Sequence, residues 1–255
     1  METNNPLRIL GVIPARFMST RLPGKALETI GGKAMILHVL ERAKKADCLA
    51  QVVVATDDER IFDAVKTAGG HAVLTSDRHP SGTDRCAEAL TKLDDAFDAV
   101  INIQGDEPFI HPEQIDLVED LLQDGAKIAT LVKAIEKDDE LFSPNDVKAV
   151  VNRKGQALYF SRHPVPFFRN APQNEWLQHG AYYKHIGIYG YQADTLREIT
   201  KLLVSPLELS ESLEQLRWLD HGYAIQTAVT QWESIGVDTP EDLAKAETLL
   251  REGKV

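Results

Sequence analysis

Three basic side chains, Arg16, Arg21 and Lys25, crowd into one short stretch, Arg16-Phe-Met-Ser-Thr-Arg21-Leu-Pro-Gly-Lys25. No acidic residue occurs between Glu2 and Glu28, although the whole chain carries a formal charge of −11. Cations spaced around Gly and Pro suit a polyphosphate, because the backbone can approach closely while charge gathers on the anion. The same composition also describes a solvated basic loop. A Walker loop is excluded: Ala26 follows Gly24-Lys25 where Ser or Thr is required, and the leading Gly is missing.

Two acids could complement those cations through a metal. Asp106 lies in Asn102-Ile-Gln-Gly-Asp-Glu-Pro108, just past an apolar run. Such a carboxylate suits a metal-bound phosphate, since Mg²⁺ takes one or two protein carboxylates and fills its shell with water and phosphate oxygens. It equally suits a turn whose Asp caps the next helix. Asp238, in Ile235-Gly-Val-Asp-Thr-Pro240, reads alone as the neighbour of a helix cap. If both apolar runs belong to one parallel sheet, their carboxyl ends open on the same side and the two acids converge.

Other polar groups sit at similar junctions. His79-Pro-Ser-Gly-Thr-Asp-Arg85 runs into a helix, where N–H groups and hydroxyls recognise a base or phosphate, or merely cap a turn. Arg162 follows a strand and offers a planar fork to a substrate carboxylate or a surface acid. His185 and Tyr189 share one face of a strand, as cleft-lining or structural residues. Glu214 and Gln215 lie on a Leu-striped helix, where the ordinary expectation is exposure to solvent. Cys48 and Cys86 show neither nucleophile nor zinc-ligand spacing.

The elements that must hold these groups follow from apolar periodicity. Residues 9–13, 51–55, 71–74 and 99–103 read as strands, with helices of 3.6-residue period from about 35, 58 and 86. Residues 75–85 read as a polar loop. This rhythm implies βαβ units and a mostly parallel α/β sheet covered on both faces. Beyond about residue 125 the strands at 128–135, 147–151, 157–160 and 185–191 are irregularly linked. Residues 164–184 form an aromatic excursion too apolar for a free loop. Ser205-Pro206 and Thr239-Pro240 open helices, and Leu209, Leu213 and Leu216 are expected to form one stripe. The chain of 255 residues reads as a single domain, 1–125 binding nucleotide and 126–255 forming a second half. A pI of about 5.2 argues against nucleic-acid or acidic-membrane partners. With no signal layout, no membrane span and two ordinary cysteines, a reduced cytoplasmic protein is the expectation.

The chain resembles the 3-deoxy-manno-octulosonate (Kdo) cytidylyltransferases, or CMP-Kdo synthetases, from Ile9 to about Leu250. The blocks that carry the resemblance begin with Ile13-Pro-Ala-Arg-Phe-Met-Ser-Thr-Arg-Leu-Pro-Gly-Lys25, Ser81-Gly-Thr-Asp-Arg85 and Asn102-Ile-Gln-Gly-Asp-Glu-Pro108. They continue with Ala157-Leu-Tyr-Phe-Ser-Arg162, His185-Ile-Gly-Ile-Tyr189, Leu213-Glu-Gln-Leu-Arg217 and Gly236-Val-Asp-Thr-Pro240. The first block is shared in looser form with other sugar nucleotidyltransferases; the later blocks are more specific. The resemblance implies a Rossmann-like nucleotidyltransferase fold with a smaller sugar-binding and dimerisation elaboration. It implies transfer of CMP from CTP to Kdo with release of pyrophosphate, dependence on Mg²⁺, a place in lipopolysaccharide synthesis, and a homodimer. It further implies that Arg16 and Lys25 hold the triphosphate, while Ser19, Ser81, Arg85 and Gln104 help locate the nucleotide. Asp106 and Asp238 would bind Mg²⁺, with Arg16, Lys25 and both acids as the catalytic set. Arg162, His185, Tyr189, Glu214 and Gln215 would surround the sugar. No Asp or Glu stands out as a general base; activation of the hydroxyl by the metal is the other route, and the role stays open at this point. A cytidylyltransferase for sialic acid or amino-substituted Kdo is the near alternative, and a non-catalytic nucleotide-binding regulator the distant one.

Overall fold

A computed structural model describes residues 6–18, 21–93, 96–233 and 235–255. Its strands are β1 (Ile9–Ala15), β2 (Thr29–Ile30), β3 (Lys33–Ala34), β4 (Leu49–Thr56), β5 (His71–Leu74), β6 (Ala99–Asn102), β7 (Ile128–Ala134), β8 (Lys148–Val151), β9 (Ala157–Ser161), β10 (Tyr183–Gln192) and β11 (Ile225–Val229). The helices are α1 (Met35–Ala43), α2 (Glu59–Thr67), α3 (Gly82–Lys92), α4 (Pro112–Gln123), α5 (Asp138–Phe142), α6 (Trp176–His179), α7 (Ala193–Ile199), α8 (Pro206–Glu211), α9 (Gln215–Asp220) and α10 (Pro240–Arg251).

One nine-stranded sheet runs β11-β7-β10-β6-β1-β4-β5, with β8 on β10 and β9 on β8. Strands β6, β1, β4 and β5 pair in parallel, as do β7 and β11, whereas β10 runs antiparallel between β6 and β7. The sheet therefore draws on both halves of the chain. Strand periodicity separates two cores. Ile9 and Ile13 face α1, α2 and α4 on one side; Leu10 and Val12 face α3, α7 and α9 on the other. Both faces are thus covered by helices, as the apolar runs require.

Three sequence expectations change. Helix α3 begins at Gly82, not near Cys86, because the Ser81 side chain accepts the Asp84 N–H and caps it. Thr83 and Arg85 are consequently helical. The stripe through Leu209, Leu213 and Leu216 is not one helix: α8 stops at Ser212, which adopts φ 52°, and α9 starts afresh. Leu209 is 71% exposed, while Leu213 and Leu216 are buried. Residues 235–237 do not form a strand. They are held by the Val237 N–H donating to the Asp106 carbonyl at 2.9 Å, so a loop delivers Asp238.

The aromatic excursion packs largely on itself. Trp176 and Tyr182 stack in a small core with Ile135 and Leu141, leaving Phe167 72% exposed. Its aromatic content therefore has an internal explanation.

Candidate nucleotide and metal site

The carboxyl ends of β1 and β6 open on one side of the sheet, and their loops meet there through a backbone constraint. A Cβ at Gly105 would stand 2.5 Å from the Pro14 carbonyl oxygen, so only glycine lets the Asp106 loop lie against the end of β1. Gly24, at φ +74°, turns the cationic loop into a single 3-10 turn that carries Lys25. These turns, with the start of α3, enclose a cavity of about 300 Å³. Its lining includes Arg16, Arg21, Lys25, His79, Ser81, Arg85, Gln104, Asp106 and Asp238. Two larger open hollows, of about 750 and 810 Å³, lie elsewhere and contain none of this cationic cluster. Charge, rather than size, singles out the smaller one.

Lys25 is the centre of the cavity's electrostatics. Its Nζ donates to Asp106 Oδ2 at 2.6 Å, to Asp238 Oδ1 at 2.9 Å and to the Val237 carbonyl at 3.5 Å. Arg21 pairs with the other Asp238 oxygen at 2.8 Å. Burial works against the ammonium, but Asp106 and then Asp238 outweigh it and hold its pKa above the ordinary lysine value. The convergence of two carboxylates on one cation also tests the expected metal. The oxygen donors and their shared focus fit a divalent ion, with the ammonium as its stand-in.

Arg16 is exposed on the rim and makes no ion pair with any described residue. Ser19 lies outside the described residues. Ser81 is committed to the α3 cap, with its hydroxyl donating to Asp84 Oδ2 at 2.6 Å. The Arg85 guanidinium, 4% exposed, donates to Thr75 at 2.6 Å and Asp57 at 3.2 Å. Gln104 Nε2 donates to the Gly187 carbonyl at 2.8 Å, tying the end of β6 to β10 where its register shifts.

A second group of expected residues gathers along β10. His185 and Tyr189 have ring centroids 5.2 Å apart, and Thr130 lies 3.0 Å from His185 Nε2. Burial lowers the His185 pKa to about 3, so the ring is neutral at ordinary pH. The Tyr189 hydroxyl is buried without a well-formed hydrogen bond, with Thr130 as the polar group facing it. Glu214 accepts from the Thr83 hydroxyl at 2.8 Å, and its carboxylate bears on both Tyr189 and Tyr191. Burial raises the Glu214 pKa, offset in part by the hydrogen bond from Thr83. Gln215 is buried beside it, contrary to the solvent-facing expectation, because the chain turns at Ser212 and Arg217 clamps Glu208. The first turn of α3 thus joins the two groups, with Ser81 on the cavity and Thr83 on Glu214.

Arg162 is not among the residues lining the cavity. Its guanidinium donates to the carbonyls of Glu211 at 2.8 Å, Pro144 at 3.1 Å and Ser212 at 3.5 Å. Two of the five N–H donors of an arginine then remain for another acceptor. Sequence alone gives no role to the His79 side chain, which lines the cavity and pairs with Glu88, and offers the Thr83 hydroxyl to a base or phosphate rather than to Glu214. His79 stood in a recognisable polar loop. Nothing in the sequence tied Thr83 to a carboxylate far along the chain.

Residues 10–228 match the family profile described as cytidylyltransferase. A 3-deoxy-manno-octulosonate cytidylyltransferase of Parabacteroides distasonis is 52% identical over 249 residues, covering 96% of this chain and 98% of that protein. Its counterpart in Cytophaga hutchinsonii is 51% identical over 240 residues, covering 94% and 96%. Among solved structures, a CMP:2-keto-3-deoxy-manno-octonic acid synthetase complexed with CTP is 43% identical. It superposes with a TM-score of 0.90 over 96% of this chain and 99% of that one.

The raised Glu214 pKa has a measurable consequence. Glu214→Gln keeps an acceptor for Thr83 and removes a charge that burial disfavours. A carboxyl whose folded pKa lies above its unfolded value costs stability once pH exceeds the folded pKa, and nothing below the unfolded one. Urea unfolding should therefore find the variant more stable than wild type at neutral pH, with the difference vanishing below about pH 4.5, the ordinary glutamate value. A difference independent of pH would contradict the assignment.

Proposed function

The chain belongs to the 3-deoxy-manno-octulosonate cytidylyltransferase family, and we infer that it transfers CMP from CTP to Kdo, giving CMP-Kdo and pyrophosphate for lipopolysaccharide synthesis. The observation that carries the site assignment is the convergence of Asp106 and Asp238 on one cation beside Arg16, Arg21, Lys25 and Arg85. In a chain of charge −11, that cluster gives a polyphosphate a local attraction which the long-range field does not.

Arg16 and Lys25 bind the triphosphate, and Ser19, six residues before Lys25 in the sequence, is assigned to nucleotide binding. Ser81, Arg85 and Gln104 fix the nucleotide against the start of α3 and the end of β6. Asp106 and Asp238 would hold Mg²⁺, which when bound supplies Lewis-acid polarisation of the phosphoryl oxygens and eases loss of the sugar hydroxyl proton. His185, kept neutral by burial, shapes and orients the sugar together with Tyr189, Glu214 and Gln215, and the two remaining Arg162 donors serve its carboxylate. The anomeric oxygen forms its bond to the α-phosphorus as the bond to pyrophosphate breaks in line. The catalytic contribution of these side chains is positioning and charge neutralisation.

Two further readings belong to this function. The setting is cytoplasmic, supported by Cys48 and Cys86 standing as free thiols; no helix among the described residues is long and apolar enough to cross a membrane. The assembly is a homodimer, supported by an apolar run around α8 in which Leu203, Val204 and Leu209 are 80%, 52% and 71% exposed.

Pyrophosphate release, measured across four nucleoside triphosphates and a panel of 2-keto sugar acids, should be fastest with CTP and Kdo. Faster turnover of sialic acid or of an amino-substituted Kdo would replace the sugar assignment. Light scattering at micromolar concentration should give a dimer that the double change Leu203→Asp, Leu209→Asp splits into folded monomers. A wild-type monomer would overturn that reading.

A further inference from the structure

Lys25 occupies the focus of the acid pair completely. A lysine ammonium has three N–H donors, and here Asp106, Asp238 and the Val237 carbonyl account for all of them. Its side chain is 14% exposed, so the ion pairs are only partly open to water. Arg21 takes the outer Asp238 oxygen. Two carboxylates therefore face two cations of the same chain, and no uncompensated negative charge is left at their focus. A divalent ion arriving alone must displace an ammonium at charge-assisted distance against the positive charge of both Lys25 and Arg21. A triphosphate changes the balance, because it offers Lys25 a more highly charged partner. The lysine's flexible four-carbon stem lets the ammonium turn toward such a partner. The backbone need not follow, since the 3-10 turn is pinned by Lys25 N–H to Leu22 at 3.1 Å and Glu28 N–H to Lys25 at 3.1 Å.

We propose that Lys25 is the resident counter-ion of the Asp106–Asp238 pair, that it closes the pair to free divalent cations, and that the nucleotide's phosphates draw it away. The pair then takes its metal together with the nucleotide rather than before it. This rests on the reading of Asp106 and Asp238 as metal ligands. It gives Lys25 two successive partners, first the carboxylates and then the triphosphate, so that one side chain couples the two binding events.

The test uses Mn²⁺ as the probe, counted by electron paramagnetic resonance without nucleotide. Wild-type protein should bind Mn²⁺ weakly, and Lys25→Met should bind it about ten- to a hundredfold more tightly, the range of one charge-assisted hydrogen bond. Lys25→Arg, which keeps the charge, should stay close to wild type. Adding Asp106→Asn to Lys25→Met should abolish the gain. An α,β-methylene analogue of CTP should tighten Mn²⁺ binding strongly in wild type and much less in Lys25→Met. Should Lys25→Met fold poorly, Lys25→Gln carries the same expectation while keeping a hydrogen-bond donor. Both neutral variants should melt at lower temperature than wild type in chelator and recover with Mn²⁺. Unchanged Mn²⁺ affinity in the neutral variants, where Asp106→Asn and Asp238→Asn still weaken the complex with the CTP analogue, would overturn the counter-ion role alone. If neither acid variant weakened that complex, the metal assignment itself would fall.

Discussion

Two carboxylates brought from far apart in the chain share one ammonium, and most of the site's local architecture serves that meeting. Asp106 reaches it because Gly105 lets its loop press against the end of β1. Asp238 reaches it because the Val237 N–H is bonded to the Asp106 carbonyl and Asp242 bonds back to the Asp238 N–H at 3.1 Å. Lys25 reaches it because Gly24 permits a left-handed turn beside Phe17. Like charges placed so close repel strongly unless a cation lies between them, by about 4 kcal/mol per unit pair at 4 Å and an effective dielectric of 20. The site is therefore built around a position that must be positive at all times.

The second polar group obeys the opposite constraint. Around β10, burial dominates and keeps charge low: His185 is neutral, Glu214 is pushed toward its protonated form, and the Tyr189 hydroxyl lies enclosed. The two environments are mechanically joined by Ser81–Thr83 on α3 and by Gln104 to Gly187. Under the proposed function, the cationic cavity would take the phosphates and the less charged group along β10 the sugar.

Much of this was legible in the sequence, for reasons specific to each element. β-Branched runs such as residues 51–55 marked the central strands because both faces of the sheet are covered. Cations and acids next to Gly and Pro marked the loops at the strand ends. Other features were not legible. The start of α3 depends on a cap that competes with a turn reading of the same residues. The break between α8 and α9 falls on Ser212, a non-glycine residue in the left-handed region, which no local composition announces. The burial of Gln215 and the partners of Lys25 arise only from long-range packing. Sequence periodicity placed both acids at strand exits; Asp106 does follow β6, whereas a loop with no strand before it delivers Asp238.

The most direct measurement is a double-variant cycle on pyrophosphate release, using Asp106→Asn, Asp238→Asn and the pair combined. Two ligands of one ion act as a unit, so the double variant should be little slower than the slower single variant, with each single variant raising the Mg²⁺ requirement. Losses that multiply, with no change in Mg²⁺ dependence, would show two independent roles and contradict a shared cation site.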